Sequence, residues 1–216
     1  MSCNRCSRLR THCQNIAAVK RRAYKDEIYW GKPVPSFGDP QARMLILGLA
    51  PGAHGSNRTG RMFTGDASGE ILYRVLHSTG FATQPVSRRA DDGLELNDAW
   101  ITAAAHCAPP GNKPLRDEML TCREFLLREI ELLERVQVVV ALGKIAFDTW
   151  LDVLRERGEI RGRSAFLFGH NMLHRTAPQH PWLLASYHPS QQNTSTGKLT
   201  EPMLLAVFNR ARSLLR

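Results

Sequence analysis

Four cysteines of this sequence form two sets that could bind a metal centre. Two residues separate Cys3 from Cys6 near the N-terminus, and fourteen residues separate Cys107 from Cys122 a hundred positions later. Thiolates at the first spacing can chelate one ion or cluster, but a mononuclear zinc site usually closes with a second tight pair. The wide second spacing therefore favours an iron–sulfur centre. The alternatives are a disulfide or ordinary buried thiols, and Cys13 is predicted not to be a ligand.

Three loops carry the other residues that could do chemistry. The loop at 48–66 has five glycines and ends in Phe63-Thr64-Gly65-Asp66, the loop at 107–114 contains Asn112, and the loop at 188–198 begins with His188. Glycines allow a backbone to approach a ligand closely and to aim its amides at that ligand. We therefore expect Gly48 and Ala50 in the first loop to contact a substrate.

The glycine-rich loop does not have the pattern of a nucleotide-binding loop. A Walker loop needs Gly-Lys followed by Ser or Thr, whereas here Gly143-Lys144 precedes Ile and Gly197-Lys198 precedes Leu. Gly48 does not begin a Gly-x-Gly-x-x-Gly dinucleotide fingerprint. These patterns argue against an NTPase and against a dehydrogenase.

Composition indicates a basic globular protein. Lys and Arg number 29 against 20 Asp and Glu, which gives a formal charge of +9 and a pI near 9.8. This charge suits a polyanionic partner, and the alternative is a solvated basic surface. The 216 residues can bury one substantial core. No apolar run is long enough to cross a bilayer and no signal peptide is evident, so we expect a soluble, intracellular protein without membrane contact.

Short apolar runs and helical patterns alternate along the chain. Strands are predicted at 44–47, 99–105, 137–142 and 182–186. Helices are predicted at 14–29, 67–79, 115–134 and 144–156, and a last one begins near Thr200, a plausible N-cap. The pattern predicts an α/β fold with a central four-stranded, mainly parallel sheet flanked by helices on both faces. Ligands of such sheets bind beyond the carboxyl ends of the strands, where the three loops should meet.

Taken together, these motifs resemble the uracil-DNA glycosylase superfamily. The Phe-Thr-Gly-Asp, Cys-x-Pro-Pro-x-Asn-Lys-Pro and His-Pro-Ser segments and the four cysteines occur in the family's order and spacing, and family 5, the iron–sulfur class, matches most closely. The resemblance implies a monofunctional enzyme of base excision repair that flips a deaminated base out of DNA and hydrolyses its N-glycosidic bond. It also implies a monomer that acts at the nucleoid of a prokaryotic type of cell.

The resemblance also implies roles for individual residues. Asp66 would position the attacking water, Phe63 would stack on the flipped base, Asn112 would hydrogen-bond the base edge, and His188 would contact the base oxygen and steady the departing anion. Other loop residues are expected to bind the flanking DNA: Arg58, Arg61, Lys113, Ser190, Gln191, Asn193 and Lys198. Each residue also has a structural reading, such as a helix cap for Asp66, a core position for Phe63 and a turn position for Asn112.

For the cysteines, the resemblance implies a structural [4Fe-4S] cluster held by Cys3, Cys6, Cys107 and Cys122. Residues 1–216 would form a single glycosylase domain in which 1–40 are an N-terminal cluster-binding helix and loop. The rival interpretation is a non-catalytic, metal-stabilised nucleic-acid-binding module.

Two departures from other uracil glycosylase classes concern specificity. Leu49 and Ala50 stand where those classes place polar or acidic side chains, and alanines at 103–105 stand where they place the asparagine that reads uracil. Small side chains predict a roomier pocket, which would also accept hypoxanthine, xanthine or modified pyrimidines. A lyase reaction through Lys113 or Lys198 is a further alternative.

Overall fold

The apolar runs of the sequence form the centre of a six-stranded sheet in the computed structural model, which describes residues 2–215. The strand order is β1-β3-β2-β4-β6-β5. The strands are β1 (Phe37–Gly38), β2 (Met44–Gly48), β3 (Ala99–Ala103), β4 (Val138–Leu142), β5 (Leu173–Arg175) and β6 (Trp182–Ser186). The four central strands are parallel to one another, which confirms the predicted four-stranded parallel sheet.

Helices cover both faces of this sheet. They are α1 (Ser7–Val19), α2 (Ser56–Thr59), α3 (Ala67–Ser78), α4 (Arg116–Leu132), α5 (Lys144–Glu156), α6 (Gln191–Ser195) and α7 (Glu201–Ser213). Short 3₁₀ helices occur at Arg22–Tyr24 and Pro110–Asn112. As predicted, Thr200 caps the last helix, because its side chain accepts a hydrogen bond from the Met203 amide at 3.4 Å.

Alternate residues of the central strands build two cores. On one face Ile46 and Val140 pack with α3 and α7, and on the other Leu45 and Val139 pack with α5 and the inner side of α4. All four side chains are at most 1% exposed. Burying a side chain of this size contributes roughly 1.5–3 kcal/mol. The two-sided burial explains why these strands read as continuous apolar runs.

The sequence did not reveal the two edge strands. β1 and β5 pair antiparallel with β3 and β6, respectively. β1 lies inside a segment rich in Pro and Gly, where Gly38 approaches the backbone of Ala99 so closely that a Cβ would collide with it. Strands of two or three residues are too short for a periodic pattern, and short edge strands also limit unwanted pairing with other chains.

The first helix was predicted at the wrong position. Instead of spanning 14–29, α1 begins after Cys6 and ends at Lys20, whose φ is +58°. Its buried face consists of Leu9 and Cys13, one helical turn apart. The basic residues that follow have no apolar face to bury, so they lie outside the helix. Within residues 2–215, no helix is long and apolar enough to span a membrane.

Candidate active site and cysteine cavity

The side chains of Phe63 and His188 lie side by side at the carboxyl ends of the parallel strands. Their ring centroids are 6.0 Å apart and their planes are inclined by 33°. His188 follows β6, and Phe63 belongs to the loop that leaves β2 at Gly48. A Cβ at position 48 would lie 3.0 Å from two carbons of the Phe63 ring. The missing side chain therefore allows the ring to lie against the strand end.

Phe63 has a strained backbone. Its φ is +51°, a conformation that bulky residues rarely adopt, and its side chain is 8% exposed. The neighbouring structure fixes this conformation: Tyr73 Oη donates a hydrogen bond to the Met62 carbonyl at 2.8 Å, and Gly69 packs directly on the Phe63 carbonyl. Strain that the surroundings maintain in this way is typical of functional sites.

Backbone hydrogen bonds tie the start of the glycine-rich loop to the end of β3. The amides of Ala104 and Ala105 donate to the carbonyls of Gly48 and Leu49, each at 3.0 Å. Ala50 lies half-buried immediately beyond these bonds. Of the two predicted substrate contacts, Gly48 thus lies on a fixed backbone beside the Phe63 ring, and Ala50 follows it two residues later.

His188 is held as a neutral imidazole. Burial lowers the pKa of His188 to about 4. Asn193 Nδ2 donates to the His188 carbonyl at 2.8 Å, and a Cβ on Gly143 would lie 3.2 Å from the His188 Cβ. In the part of the chain that the structure describes, neither ring nitrogen has a protein hydrogen-bond partner. The imidazole is therefore free to bind a ligand.

The protonation state of His188 can be measured by NMR. We expect the ring Hε1 resonance of His188 to keep its neutral position from about pH 8 to about pH 5, because an unperturbed histidine titrates near 6.5 whereas the pKa of His188 is about 4. Loss of this resonance in His188→Gln would assign it. A titration midpoint near 6.5 would contradict the buried, neutral imidazole.

Asp66 both caps α3 and faces the glycine-rich loop. Its Oδ1 accepts a hydrogen bond from the Gly69 amide at 3.0 Å. A Cβ on Gly52 would lie 2.8 Å from its Oδ2, and a Cβ on Gly55 would collide with the same atom. Burial raises the pKa of Asp66, and hydrogen bonds from the Gly69 and Ser68 amides partly offset this rise. Asp66 can therefore cap α3 through Oδ1 while its Oδ2 faces the glycine-rich loop.

Replacing Gly55 should displace the Asp66 carboxylate. In Gly55→Ala the new methyl group would occupy the position of Oδ2, so we expect the single-turnover rate of the base excision that the resemblance implies to fall by about two orders of magnitude. Gly162→Ala is a matched control, since a Cβ there meets no atom within 4 Å. Equal rates for the two variants would show that the position of the carboxylate does not matter.

Asn112 belongs to an exposed turn of the loop at 107–114. It lies in the 3₁₀ turn after Pro109 with a φ of +57°, and its side chain is exposed. Among residues 2–215 its amide group has no hydrogen-bond partner. Lys113 is also exposed, and its carbonyl accepts a hydrogen bond from Arg8 at 3.3 Å.

Arg58 was predicted to bind DNA, but its side chain is buried in the protein. It is 7% exposed and forms an ion pair with Glu27. It also donates to the carbonyls of His54 and Gly65, each at 2.8 Å, and its guanidinium lies 3.9 Å from the centroid of the Tyr24 ring. A phosphate could bind Arg58 only if these interactions broke. We therefore correct its predicted DNA-binding role and assign Arg58 to the support of the loop.

Arg61 requires the same correction. It is 4% exposed, and its Nη2 donates to both carboxylate oxygens of Asp92, at 2.8 and 2.9 Å. The same guanidinium binds Ser87 Oγ at 2.9 Å and Thr64 Oγ1 at 3.0 Å. These bonds occupy the donors that a phosphate would need. Arg61 therefore fastens residues 87–92 to the glycine-rich loop.

The third loop divides into structural and exposed residues. Ser190 caps α6 by accepting a hydrogen bond from the Asn193 amide at 3.3 Å, and Asn193 supports His188 as described above. Gln191 and Lys198 are exposed, and Lys198 Nζ lies 5.2 Å from the centroid of the Tyr187 ring. Four residues of this loop were predicted to contact DNA, and of these only Gln191 and Lys198 have exposed side chains.

The four predicted cysteine ligands line one cavity. Cys3, Cys6, Cys107 and Cys122 surround a volume of about 620 Å³, together with Leu9, Pro33, Pro35 and Phe125. None of them forms a disulfide. Among residues 2–215, the cysteines, histidines and carboxylates do not form a ready metal-binding group. The shared cavity and the four sulfur donors nevertheless fit a thiolate-bound centre.

The cavity disfavours four uncompensated thiolates. Burial, together with the charges of Cys107, Cys6 and Cys3, raises the pKa of Cys122 to about 12. Burial, followed by the Cys107 charge, also raises the pKa of Cys6. The hydrogen bond with Cys13 and burial raise the pKa of Cys107, and the charge of Arg10, which also lines the cavity, partly offsets this rise. A bound cation would stabilise the charged thiolates in the same way.

Cys13 lies behind the wall of the cavity. It is fully buried with Leu9, Cys107 and Ala108, and its thiol points at the Ala108 carbonyl at 3.6 Å. It is not among the residues that line the cavity in the described part of the chain. Cys13 therefore stays a predicted non-ligand.

Residues 35–212 match the sequence model of the family described as the uracil DNA glycosylase superfamily. The chain belongs to this superfamily. The match spans β1 to α7 and includes the Phe63 and His188 loops, so the resemblance inferred from the motifs is confirmed.

Similar proteins narrow the position of the chain within the uracil DNA glycosylase superfamily. Proteins named type-5 uracil-DNA glycosylase from Mycobacterium tuberculosis and Thermus thermophilus are each 47% identical over 213 residues. The match to the Mycobacterium protein covers 98% of this chain and 78% of that relative. The match to the Thermus protein covers 99% of this chain and 94% of that relative. A type-5 enzyme from Pyrobaculum aerophilum is 42% identical over 211 residues, covering 98% of this chain and 88% of the relative. The chain is therefore a type-5 member of the superfamily.

Three residues that lie beside the candidate site or the cysteine cavity were not predicted from the sequence. Gly52 and Gly55 face the Asp66 carboxylate, and Arg10 lies beside the cysteines. The glycines formed part of a recognised glycine-rich loop, but their partner could not be identified before the loop was folded. Arg10 follows Cys6 by one helical turn, a spacing that indicates proximity only when the start of α1 is known.

Proposed function

We propose that this chain is a DNA glycosylase that extrudes uracil from DNA and hydrolyses its N-glycosidic bond. The names of its relatives support the reaction. The observation that carries the proposal is the pairing of the buried Phe63 ring with the unpartnered, neutral imidazole of His188 at the strand ends. A base extruded from a duplex needs an aromatic face to stack on and polar groups that read its edge.

The two ionisable residues suit the charges that develop during the reaction. Breaking the glycosidic bond makes the sugar cationic and the base anionic. The Asp66 carboxylate would stabilise the positive sugar and orient the water, and a neutral His188 can donate a hydrogen bond to the base oxygen. In the products, the water oxygen is bonded to C1′, the bond electrons have left with the base nitrogen, and the proton released by water ends on the base.

Asn112 remains the proposed reader of the base edge. Its exposed amide has no protein partner among residues 2–215, so its donor and acceptor groups are free for a base. Lys113, Gln191 and Lys198 are likewise exposed, and we propose that they contact flanking DNA.

We propose that the cysteine cavity holds a [4Fe-4S] cluster bound by Cys3, Cys6, Cys107 and Cys122. The four sulfur donors around one cavity support this assignment. The cluster would supply a covalent link between the N-terminal segment and α4. We also propose that residues 1–216 form a single domain and act as a monomer. Within this domain, residues 1–40 would be the cluster-binding helix and loop.

The proposed substrate range includes bases other than uracil. Ala103, Ala104 and Ala105 are buried at the end of β3 and present only methyl groups. A wall of small side chains would leave room for the larger ring of hypoxanthine or xanthine and for modified pyrimidines. Rates on duplexes that each contain one such lesion test this range, and activity on uracil alone would rule it out.

A strand-break assay tests the proposed function. The purified protein is incubated with a labelled duplex that contains one uracil, and alkali then cleaves any abasic site. We expect breaks at the uracil position and none in a duplex with thymine there. Binding without breaks would favour the non-catalytic nucleic-acid-binding module.

The same assay distinguishes hydrolysis from a lyase reaction. A hydrolase leaves the strand intact until alkali is added, whereas a lyase that uses Lys113 or Lys198 would cleave it directly. Borohydride traps the imine of a lyase as a covalent complex between protein and DNA. We expect neither direct cleavage nor a trapped complex.

A further inference from the structure

A second cavity lies beside the candidate active site. It has a volume of about 650 Å³ and adjoins Gly65, the residue before Asp66. Its charged lining consists of four arginines and two glutamates: Arg58, Arg74, Arg88, Arg89, Glu27 and Glu70. Arg58 pairs with Glu27 and Arg74 pairs with Glu201, so Arg88, Arg89 and Glu70 are the remaining charged groups of the lining.

One wall of this cavity is a segment that we call the arginine loop, residues 85–93. Buried polar groups fasten it to the glycine-rich loop. The Ser87 carbonyl accepts a hydrogen bond from the Gly65 amide at 3.1 Å, and Ser87 Oγ lies 2.7 Å from Thr64 Oγ1. Ser87 is 3% exposed, and Arg61 holds it from the other side. The arginine loop therefore has a fixed position relative to Asp66.

Asp92 also fixes the backbone at the tip of the loop. Its Oδ2 accepts hydrogen bonds from the amides of Arg88 and Arg89, at 2.8 and 3.1 Å. The same carboxylate forms the ion pair with Arg61. Asp92 thus joins the buried network to the two residues whose side chains are exposed at the rim of the cavity.

The charges of Arg88 and Arg89 are available to a ligand. Among the described residues, Arg88 has no ion-pair partner. Arg89 pairs with Asp91 at 2.9 Å, but their side chains are 71% and 74% exposed. Ion pairs at such exposure contribute little, so a phosphate could displace Asp91 at low cost. Arg58 and Arg61, in contrast, are buried and fully engaged.

We propose that Arg88 and Arg89 bind the DNA phosphates that flank the extruded nucleotide. The inference rests on the proposed function, in which the sugar of that nucleotide lies near Asp66. Its neighbouring phosphates must then pass close to Gly65, where the arginine loop is attached. Arginine suits this task because its planar group can bind two phosphate oxygens at once. Glu70 is the one lining carboxylate that would oppose a phosphate.

The double variant Arg88→Ala/Arg89→Ala tests the inference. The probe is a duplex that contains a uracil nucleotide with a 2′-fluoro sugar, which resists cleavage. We expect Kd to rise by about tenfold or more at low salt, and the slope of log Kd against log salt to fall by about 0.9 for each lost phosphate contact. Glu70→Gln should lower Kd.

Arg128→Ala/Arg135→Ala is the matched control. It removes the same charge from two exposed positions, one in α4 and one in the connection that enters β4 at its amino end. We expect its salt slope to equal that of the unmodified protein. An equal loss in both double variants, or an unchanged slope for the arginine loop variant, would overturn the inference.

The outcome also separates this inference from the proposed function. If the unmodified protein excises no base but the arginine loop variant loses its salt-dependent binding, the proposed reaction fails and the phosphate contact stands. If excision occurs but the arginine loop variant keeps the Kd and the salt slope of the unmodified protein, the proposed reaction stands and the inference is wrong.

Discussion

Replacing Asp66 with asparagine is expected to lower the single-turnover rate of uracil excision by a factor of about 10² to 10⁴. The carboxylate is the negative group proposed to face the cationic sugar, and asparagine removes its charge while keeping its size. We expect the Kd for DNA containing a non-cleavable uracil nucleotide to change by less than about threefold. Rapid-quench kinetics and a fluorescence binding titration measure the two quantities.

The structure makes this substitution a selective one. Asparagine caps a helix about as well as aspartate does, so the hydrogen bond from the Gly69 amide should persist and α3 should stay intact. Asp66→Ala lacks that acceptor and should destabilise the protein by about 0.5–2 kcal/mol in addition. A rate for Asp66→Asn within about threefold of the unmodified protein would exclude a catalytic carboxylate.

The pH dependence of the rate follows from the same residue. Because burial raises the pKa of Asp66, its carboxylate takes up a proton at a higher pH than an exposed aspartate would. Since the ionised form is the active one, the rate of the unmodified enzyme should fall as the pH falls through that pKa. Asp66→Asn should lack this acidic limb.

Replacing Cys122 with alanine is expected to abolish binding of the proposed cluster and to lower the melting temperature by about 10 °C or more. The proposed cluster would link residues far apart in the chain, so its binding free energy would contribute to folding. In a protein of this size, each 1 kcal/mol shifts the melting temperature by about 2–4 °C. Iron and sulfide content, visible absorbance and anaerobic thermal unfolding measure the effect.

Cys13→Ala provides the matched control for this prediction. It removes a neighbouring buried thiol that lies outside the cavity wall. We expect the variant to retain the iron, about four atoms per chain, and the visible absorbance of the unmodified protein. The proposed ligand set would be wrong if Cys13→Ala lost its iron or if Cys122→Ala kept it.

The sequence predicted the centre of the fold well because the central strands are buried on both faces. Trp182–Ser186 has the predicted bounds, and the other three central strands agree to within two residues. The edge strands β1 and β5 had no such signal, because two or three residues cannot establish an alternation. The position of α1 depended on its cap at Cys6, which a count of basic residues could not reveal.

The motifs predicted the pair at the centre of the candidate site but not the partners of the loop arginines. Phe63 and His188 were expected to meet because both follow parallel strands, and they lie beside each other. Arg58 and Arg61 were expected to bind DNA because they are basic loop residues. Their carboxylate partners, Glu27 and Asp92, each lie thirty-one residues away, and only the folded chain reveals such pairs.

The most direct test of the account is the structure of the protein bound to a duplex that contains a 2′-fluoro uracil nucleotide. The account predicts an extruded uracil stacked on the Phe63 ring, with its oxygen within hydrogen-bond distance of His188 and its sugar facing the Asp66 carboxylate. A uracil that remains stacked in the duplex, or one bound away from Phe63 and His188, would contradict it.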